Sequence, residues 1–432
     1  MQFYSTNQKV APVSFKEAVI KGLPDDNGLF MPASIPQFSN EFINELPALS
    51  YTDIAYESAR MIIENEIEAN DLRVIIEDAF NFEVPLNCVH DNMFVLELFH
   101  GPTLAFKDFG ARFMARVMGY FLRSDGREIN ILVATSGDTG SAVAQGFLGV
   151  EGIKVTLLYP KGKVSKIQEQ QLTTIGQNIT ALEVDGTFDD CQLLVKTAFL
   201  DAELNRKMNL SSANSINIAR LLPQSFYYTY AYSRLMEKYA NLYFCVPSGN
   251  FGNLCGGLLA RKMGLPIAGF IAASNANDIV PHYLDTRQFS PKPSIQTLSN
   301  AMDVGNPSNF VRLLDLYDHD YHKIINDIKG ISFDDHQTKK LIREVHGKYG
   351  YLMCPHTAIG YGGLKHYLKP DDAGVFLSTA HPCKFKDVVE PLISQEIEIP
   401  LRLKEIIEKK KQAISMTADF ESFKSFLLDS NQ

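Results

Sequence analysis

The chain has 432 residues, 45% of them hydrophobic and 21% charged, with a formal net charge of -9 at pH 7. Such a length exceeds one ordinary core and predicts two or three domains, and the composition is that of a globular protein. The acidic balance argues against a nucleic acid or an anionic membrane as partner, because either favours a basic surface.

The opening residues Met1, Gln2, Phe3 and Tyr4 show no basic segment followed by an apolar run, so no secretory signal is predicted. No apolar stretch approaches the roughly 18 residues of a membrane span. Six cysteines (Cys88, Cys191, Cys245, Cys255, Cys354 and Cys383) are scattered, with no C-x-x-C pair. They predict reduced, mostly buried thiols in a cytoplasmic protein, and neither a metal site nor a disulfide framework.

The first hundred residues read as mostly helical and peripheral, with residues 53–80 carrying apolar positions at helical spacing. Residues 27–32 read as a turn followed by an extended segment. After residue 90, short β-branched or aromatic runs at 93–98, 129–134, 154–159, 179–184, 242–246, 268–272 and 374–377 alternate with helical stretches at 141–148, 167–175, 189–204, 218–239 and 253–263. That alternation predicts an α/β fold of two open, mostly parallel units with helices on both faces. The expected division is a helical N-terminal subdomain (1–90), a central α/β domain (91–235) and a large α/β domain (236–432), with the chain free to cross between them. Residues 285–309 read as a long loop, 401–411 as a charged helix, and the cations 409–411 as its solvated end.

Five segments carry candidate chemistry. In Gly101-Pro102-Thr103-Leu104-Ala105-Phe106-Lys107-Asp108-Phe109-Gly110 a lysine stands among apolar residues where a helix striped by Phe109, Phe113, Val117 and Phe121 begins. Burial and the positive end of a helix dipole both favour its neutral amine, the form that attacks an aldehyde. Taken alone, such a lysine is more often a solvated surface group. Residues Ser248, Gly249, Asn250, Phe251, Gly252 and Asn253 join a strand to a helix, and their N–H groups suit a dianionic phosphate. The segment is neither a Walker loop nor a dinucleotide turn, and on spacing alone it is as compatible with a plain tight turn. Thr135, Ser136, Gly137, Asp138, Thr139 and Gly140 form a second such turn, suited to a carboxylate except for the repulsion Asp138 brings. Asn214, Ser215, Asn217 and Arg220 make a third, able to hold a phosphate through amide, hydroxyl and guanidinium, or else simply an N-cap with an exposed arginine. Thr379, after the strand at 374–377, offers a hydroxyl to a pyridine nitrogen. His381 before Pro382 reads as structural.

Together these segments, with residues 28–30, 184–192 and 301–309, resemble over nearly the whole chain the threonine synthases of the long bacterial and fungal form. These are fold type II pyridoxal-phosphate enzymes of the tryptophan-synthase-β-like group. The resemblance implies that the cofactor lies between the two α/β units. Lys107 would carry pyridoxal 5'-phosphate as a Schiff base, with Gly249, Asn250, Phe251, Gly252 and Asn253 at its phosphate and Thr379 at its ring nitrogen. It implies Thr135, Ser136, Asp138 and Thr139 at the substrate carboxylate and Asn214, Ser215, Asn217 and Arg220 at a substrate phosphate. The implied reaction converts O-phospho-L-homoserine and water to L-threonine and phosphate, the last step of threonine biosynthesis, in a cytoplasmic monomer or homodimer. Asp138 departs from the wider group's Ser-x-Gly-Asn turn, and Cys354 stands where an acid is often found. Two other readings remain: a threonine or serine dehydratase, which needs no second phosphate site, and a silent relative that binds a phosphorylated metabolite.

Overall fold

Runs that are apolar on both faces must be covered on both faces, and residues 129–134 are buried throughout. The computed structural model, which describes residues 1–123 and 126–429, places these runs in two main sheets. One has the order Ile328–Ser332, Gly269–Ser274, Leu242–Pro247, Ala373–Ser378, Met93–Glu97 and Leu86–His90. All its neighbours are parallel except the last pair, Met93–Glu97 with Leu86–His90. The other has the order Ile414–Thr417, Ile179–Asp185, Ile153–Pro160, Ile129–Ala134 and Asn209–Ser212, parallel throughout. A small antiparallel ribbon pairs Phe3–Ser5 with Phe30–Pro32.

The chain crosses between these sheets more than once. Met93–Glu97 pairs with Ala373–Ser378 and not with the strands that follow it in sequence. Ile414–Thr417 returns from the C-terminal region to pair with Ile179–Asp185. The boundaries at 90/91 and 235/236 therefore do not separate the sheets.

The N-terminal helices support the centre of the molecule instead of lying at its periphery. Tyr51–Ile63 and Ala69–Ala79 pack on the central helices Gln224–Leu235 and Lys107–Leu122. The rings of Tyr51, Phe80, Phe109, Phe113 and Phe226 interlock there at centroid distances of 5.5 to 6.2 Å, four of the six contacts edge-on, one tilted and one stacked, such aromatic pairs each adding about 1 kcal/mol beyond burial. Arg112 Nε donates to the Ala79 carbonyl at 2.8 Å, closing the C-terminal end of one helix with a side chain of the other.

Two predicted helices are each broken into two. Pro223 separates Ile218–Leu221 from Gln224–Leu235, because proline has no N–H to donate and collides with the preceding turn. Asp201 separates Phe188–Leu200 from Ala202–Lys207, its carboxylate accepting from the N–H groups of Glu203 and Leu204. The charged C-terminal helix is shorter than predicted, Leu401–Ile407. Lys409, Lys410 and Lys411 are exposed, and Lys411 is also ion-paired, with Glu169 at 2.8 Å and Glu183 at 2.5 Å. Cys88 is exposed and the other five cysteines are buried, none of them bonded to another. No described helix is long and apolar enough to cross a membrane.

Candidate active site

In a parallel sheet every strand ends on the same edge, so the loops that follow neighbouring strands meet there. Met93–Glu97, Ala373–Ser378 and Leu242–Pro247 are consecutive neighbours in one sheet. Beyond their carboxyl ends lie the Lys107 loop, Thr379 and the 248–253 turn. Main-chain bonds join the first two: Leu98 N–H donates to the Ser378 carbonyl and Phe106 N–H to the Thr379 carbonyl, both at 2.9 Å. Leu104 adopts φ +60, a left-handed conformation costly for a branched residue. Its carbonyl accepts from His381 N–H at 3.1 Å, and the His381 side chain caps the turn that follows, its Nδ1 accepting from Cys383 N–H at 3.1 Å.

Lys107 is the first residue of the helix Lys107–Leu122 and is half-buried. Burial lowers its pKa from 10.5 to about 8; Asp138 opposes the shift, and Lys384 and Arg220 assist it. An amine so poised takes up and gives back protons near neutral pH. Next to it, Asp108 is turned inward, accepting from Thr103 Oγ1 at 2.7 Å and Thr103 N–H at 2.9 Å.

The 248–253 turn fits a phosphate ester. No acceptor for the N–H groups of residues 249–253 is found among the described residues. Phe251 adopts φ 61 and so turns successive N–H groups towards one side, ahead of the helix Gly252–Lys262. A Cβ on Gly249 would stand 2.6 Å from Met302 Cα, so backbone packs on backbone and no other residue fits. Asn253 Oδ1 accepts from the hydroxyls of Tyr227 and Tyr228 at 2.7 and 2.8 Å, which fixes the amide. Its Nδ2 is a buried donor without a partner, the kind of group an anionic oxygen satisfies. Asn250 braces the turn, its Nδ2 donating to Ser215 Oγ and its Oδ1 accepting from Ser308 N–H, both at 2.6 Å. Thr379 is buried, and its hydroxyl has no partner among the described residues.

At the edge of the other sheet, the 135–140 turn follows Ile129–Ala134 and begins the helix Asp138–Phe147. Thr135 is inward-facing, its Oγ1 accepting from the N–H groups of Gly137 and Gly140 at 3.0 and 2.8 Å. Ser136 and Thr139 are half-buried, with hydroxyls that have no partner among the described residues. Asp138 is not bare: its Oδ1 lies 2.5 Å from Lys384 Nζ and 3.0 Å from Gln168 Nε2. Although burial opposes it, Lys384, Lys107 and Gln168 together hold its carboxyl far below the usual carboxylate range.

The loop after Asn209–Ser212 brings in the remaining candidates. Ser215 Oγ accepts from Asn250 and from Asn309 Nδ2, the latter at 3.2 Å, tying this loop to the 248–253 turn. Asn217 is fully buried and committed to scaffolding: Nδ2 donates to Val19 and Ser212 carbonyls at 2.9 and 3.3 Å, and Oδ1 accepts from Ala219 N–H. The Asn214 side chain is half-buried and unpartnered among the described residues. Arg220 is buried, not exposed: Nη1 donates to the Ala213 carbonyl, Nε is orphaned, and no carboxylate pairs with it among the described residues. Desolvation lowers its pKa to about 10, so it stays charged.

Several residues of this region escape sequence reading. Arg312 is fully buried and clamps three segments, donating to the carbonyls of Phe30, Ser215 and Ile216 and to Asn309 Oδ1. His356 Nε2 accepts from Ala301 N–H at 3.2 Å, and burial lowers its pKa to about 4, keeping it neutral. Lys384 and Gln168 come from distant segments. The only trace of Lys384 in the sequence is a lysine inside the apolar run after His381.

Comparison with known proteins agrees with this geometry. Residues 84–379 match the family model "pyridoxal-phosphate dependent enzyme", residues 2–80 "threonine synthase N terminus" and residues 357–427 "threonine synthase, C-terminal". A threonine synthase of Haemophilus influenzae is 44% identical over 100% of both chains. The crystal structure of threonine synthase from Escherichia coli superposes with a TM-score of 0.94 at 42% identity, covering 100% of both chains. A structure of threonine synthase from Brucella melitensis, described as bound to PLP, has a TM-score of 0.93 at 34% identity, covering 99% of this chain and 98% of that one. With the lysine, the glycine turn and the matches spanning the whole sequence in agreement, this chain belongs to the threonine synthase family of pyridoxal-phosphate-dependent enzymes.

Proposed function

We propose that the chain acts on O-phospho-L-homoserine, with water, to give L-threonine and phosphate. The observation that carries this choice of substrate is Arg220, a buried guanidinium with an orphaned Nε and no carboxylate partner among the described residues. Its loop is bonded through Ser215 to Asn250 of the 248–253 turn. A buried cation without a counter-ion is costly, and a dianionic ligand offsets that cost. One cleft then has two separate anion sites, one more than a dehydratase requires.

In this reading Lys107 binds the cofactor aldehyde, the N–H groups of residues 249–253 and Asn253 Nδ2 hold its phosphate, and Thr379 presents a hydroxyl to its ring nitrogen. When bound, pyridoxal phosphate supplies an electron sink for negative charge developing on the substrate carbons. Ser136 and Thr139 orient the substrate carboxylate, while Arg220 and Asn214 face its phosphate. Ser215 and Asn217 fix the loop that carries those two, and Thr135 fixes the turn. Freed when the substrate's own amine takes its place on the aldehyde, the Lys107 amine takes the proton from Cα and then one from Cβ as phosphate departs from Cγ; it returns one proton to Cγ and, as water adds its hydroxyl at Cβ and gives its proton to the departed phosphate, returns the other to Cα. One base serves three adjacent carbons because the substrate is fixed at both ends. A cytoplasmic location is supported by the five buried, unbonded cysteines.

The test is phosphate release from O-phospho-L-homoserine, run beside 2-oxo-acid release from L-serine and L-threonine. The reading expects phosphate and threonine in equal amounts from the first substrate. Oxo-acid release without phosphate release would make the protein a dehydratase; neither, with phosphohomoserine still bound, would make it a silent binding protein.

A further inference from the structure

In sequence, the 135–140 turn combines hydroxyls and amides suited to a carboxylate with an aspartate that repels one. In the fold, an ammonium from the other side of the site stands against that aspartate. Lys384 lies in the short turn Pro382–Phe385, which follows the central strand Ala373–Ser378 of the six-stranded sheet. Its side chain is fully buried, with Nζ 2.5 Å from Asp138 Oδ1 and 3.0 Å from the carbonyl oxygen of Thr103. Thr103 belongs to the loop that delivers Lys107, and Gln171 Nε2 donates to the same carbonyl at 3.1 Å. One ammonium thus ties together the 135–140 turn, the Lys107 loop and the segment after Thr379.

Stability does not explain this arrangement. Buried ion pairs are often no more stabilising than apolar residues of the same volume, and the surrounding cluster already includes Leu104, Ala380 and Phe385 to extend such a core. Charge at the site does explain it. Lys384 and Lys107 both bear on Asp138 and hold its carboxylate ionised against its burial, while Arg220 bears on Lys107. Asp108 is raised by burial and His356 is neutral. Without Lys384, the turn that presents Ser136 and Thr139 would face an arriving carboxylate with a negative charge.

We propose that Lys384 is a positioning residue of this site: by pairing with Asp138 and bonding Thr103 it cancels the turn's charge and fixes its hydroxyls against the Lys107 loop, so that an amino-acid carboxylate binds there. This rests on the substrate reading above only in taking the ligand to be an α-amino acid.

The test compares the holoenzyme with K384M, D138N and the double variant D138N/K384M. Two quantities are read: KM and kcat for phosphate release from O-phospho-L-homoserine, and half-saturation of the cofactor absorption change by L-threonine, which carries the carboxylate but no phosphate. K384M raises both KM and the threonine half-saturation by about tenfold or more, with kcat falling less, because one buried charge is left unpaired. The double variant returns to within about threefold of D138N, because both charges are gone. An unchanged half-saturation in K384M, or a double variant as impaired as K384M, would overturn the proposal. If K384M does not accumulate as folded protein, D138N against D138N/K384M decides: matching half-saturations support it, and a further tenfold loss refutes it. Should the unmodified enzyme release no phosphate, the substrate reading fails while the threonine titration still decides the role of Lys384.

Discussion

The turns at 248–253 and 135–140 have the same form, a strand, a glycine-containing bend and a helix, yet they prepare for an anion in different ways. The first contains no charged side chain. It relies on main-chain N–H groups, on the orphaned Nδ2 of Asn253 and on Gly249 pressed against Met302. The second contains a carboxylate and needs Lys384 and Gln168 from elsewhere to neutralise it. An amide cradle is a local property of a few consecutive residues, whereas a compensated charge is a property of the assembled fold.

Four predictions press on this comparison. Lys107→Ala removes the amine that both turns serve, and phosphate release falls roughly 10³-fold or more; the Schiff-base absorption band disappears with it. Arg220→Ala lowers the apparent affinity for O-phospho-L-homoserine by about 10²-fold, while cofactor affinity, measured by absorption titration, stays within about threefold of the parent. That split separates the substrate's anion site from the cofactor's. Gly249→Ala does the reverse. Its Cβ would meet Met302 Cα at 2.6 Å, so cofactor affinity drops about tenfold and thermal stability falls by about 1–3 kcal/mol.

The smallest effect concerns the support behind the glycine turn. Asp303 follows Met302 and accepts from Thr297, Asn275 and Asn277. Burial, with a contribution from Asp335, raises its pKa from 3.8 to about 6 despite those bonds. The folded state therefore holds a proton that the unfolded chain has lost between pH 4 and 6. The stability this contributes is fully present below pH 4 and is lost as the pH rises through 6. Asp303→Asn abolishes that dependence. The difference in Tm between variant and parent shifts in favour of the variant by on the order of 1–2 °C from pH 4 to pH 7, measured by thermal denaturation at both pH values.

The sequence made legible what depends on neighbours along the chain. The strands Ile129–Ala134, buried throughout and apolar but for Asn130, and Leu242–Pro247, buried but for Tyr243, are almost wholly apolar runs, and the helix from Lys107 shows its stripe directly. The short strands Asn209–Ser212 and Ile414–Thr417 are polar or exposed, and only their partners hold them extended. The same limit applies in the site. The spacing of residues 214–220 suits an anion loop, but only the fold commits Asn217 to Val19 and Ser212 and buries Arg220. Lys384 is one lysine among many until Asp138 stands beside it.

The central claim is that one amine, that of Lys107, bonds the cofactor in a site whose fully buried lysine, Lys384, serves a different purpose. Borohydride reduction of the holoenzyme, followed by proteolysis and mass spectrometry, tests it directly. The account predicts a pyridoxyl-phosphate adduct on the peptide bearing Lys107 and none on the peptide bearing Lys384; an adduct on Lys384, or on neither lysine, would contradict it.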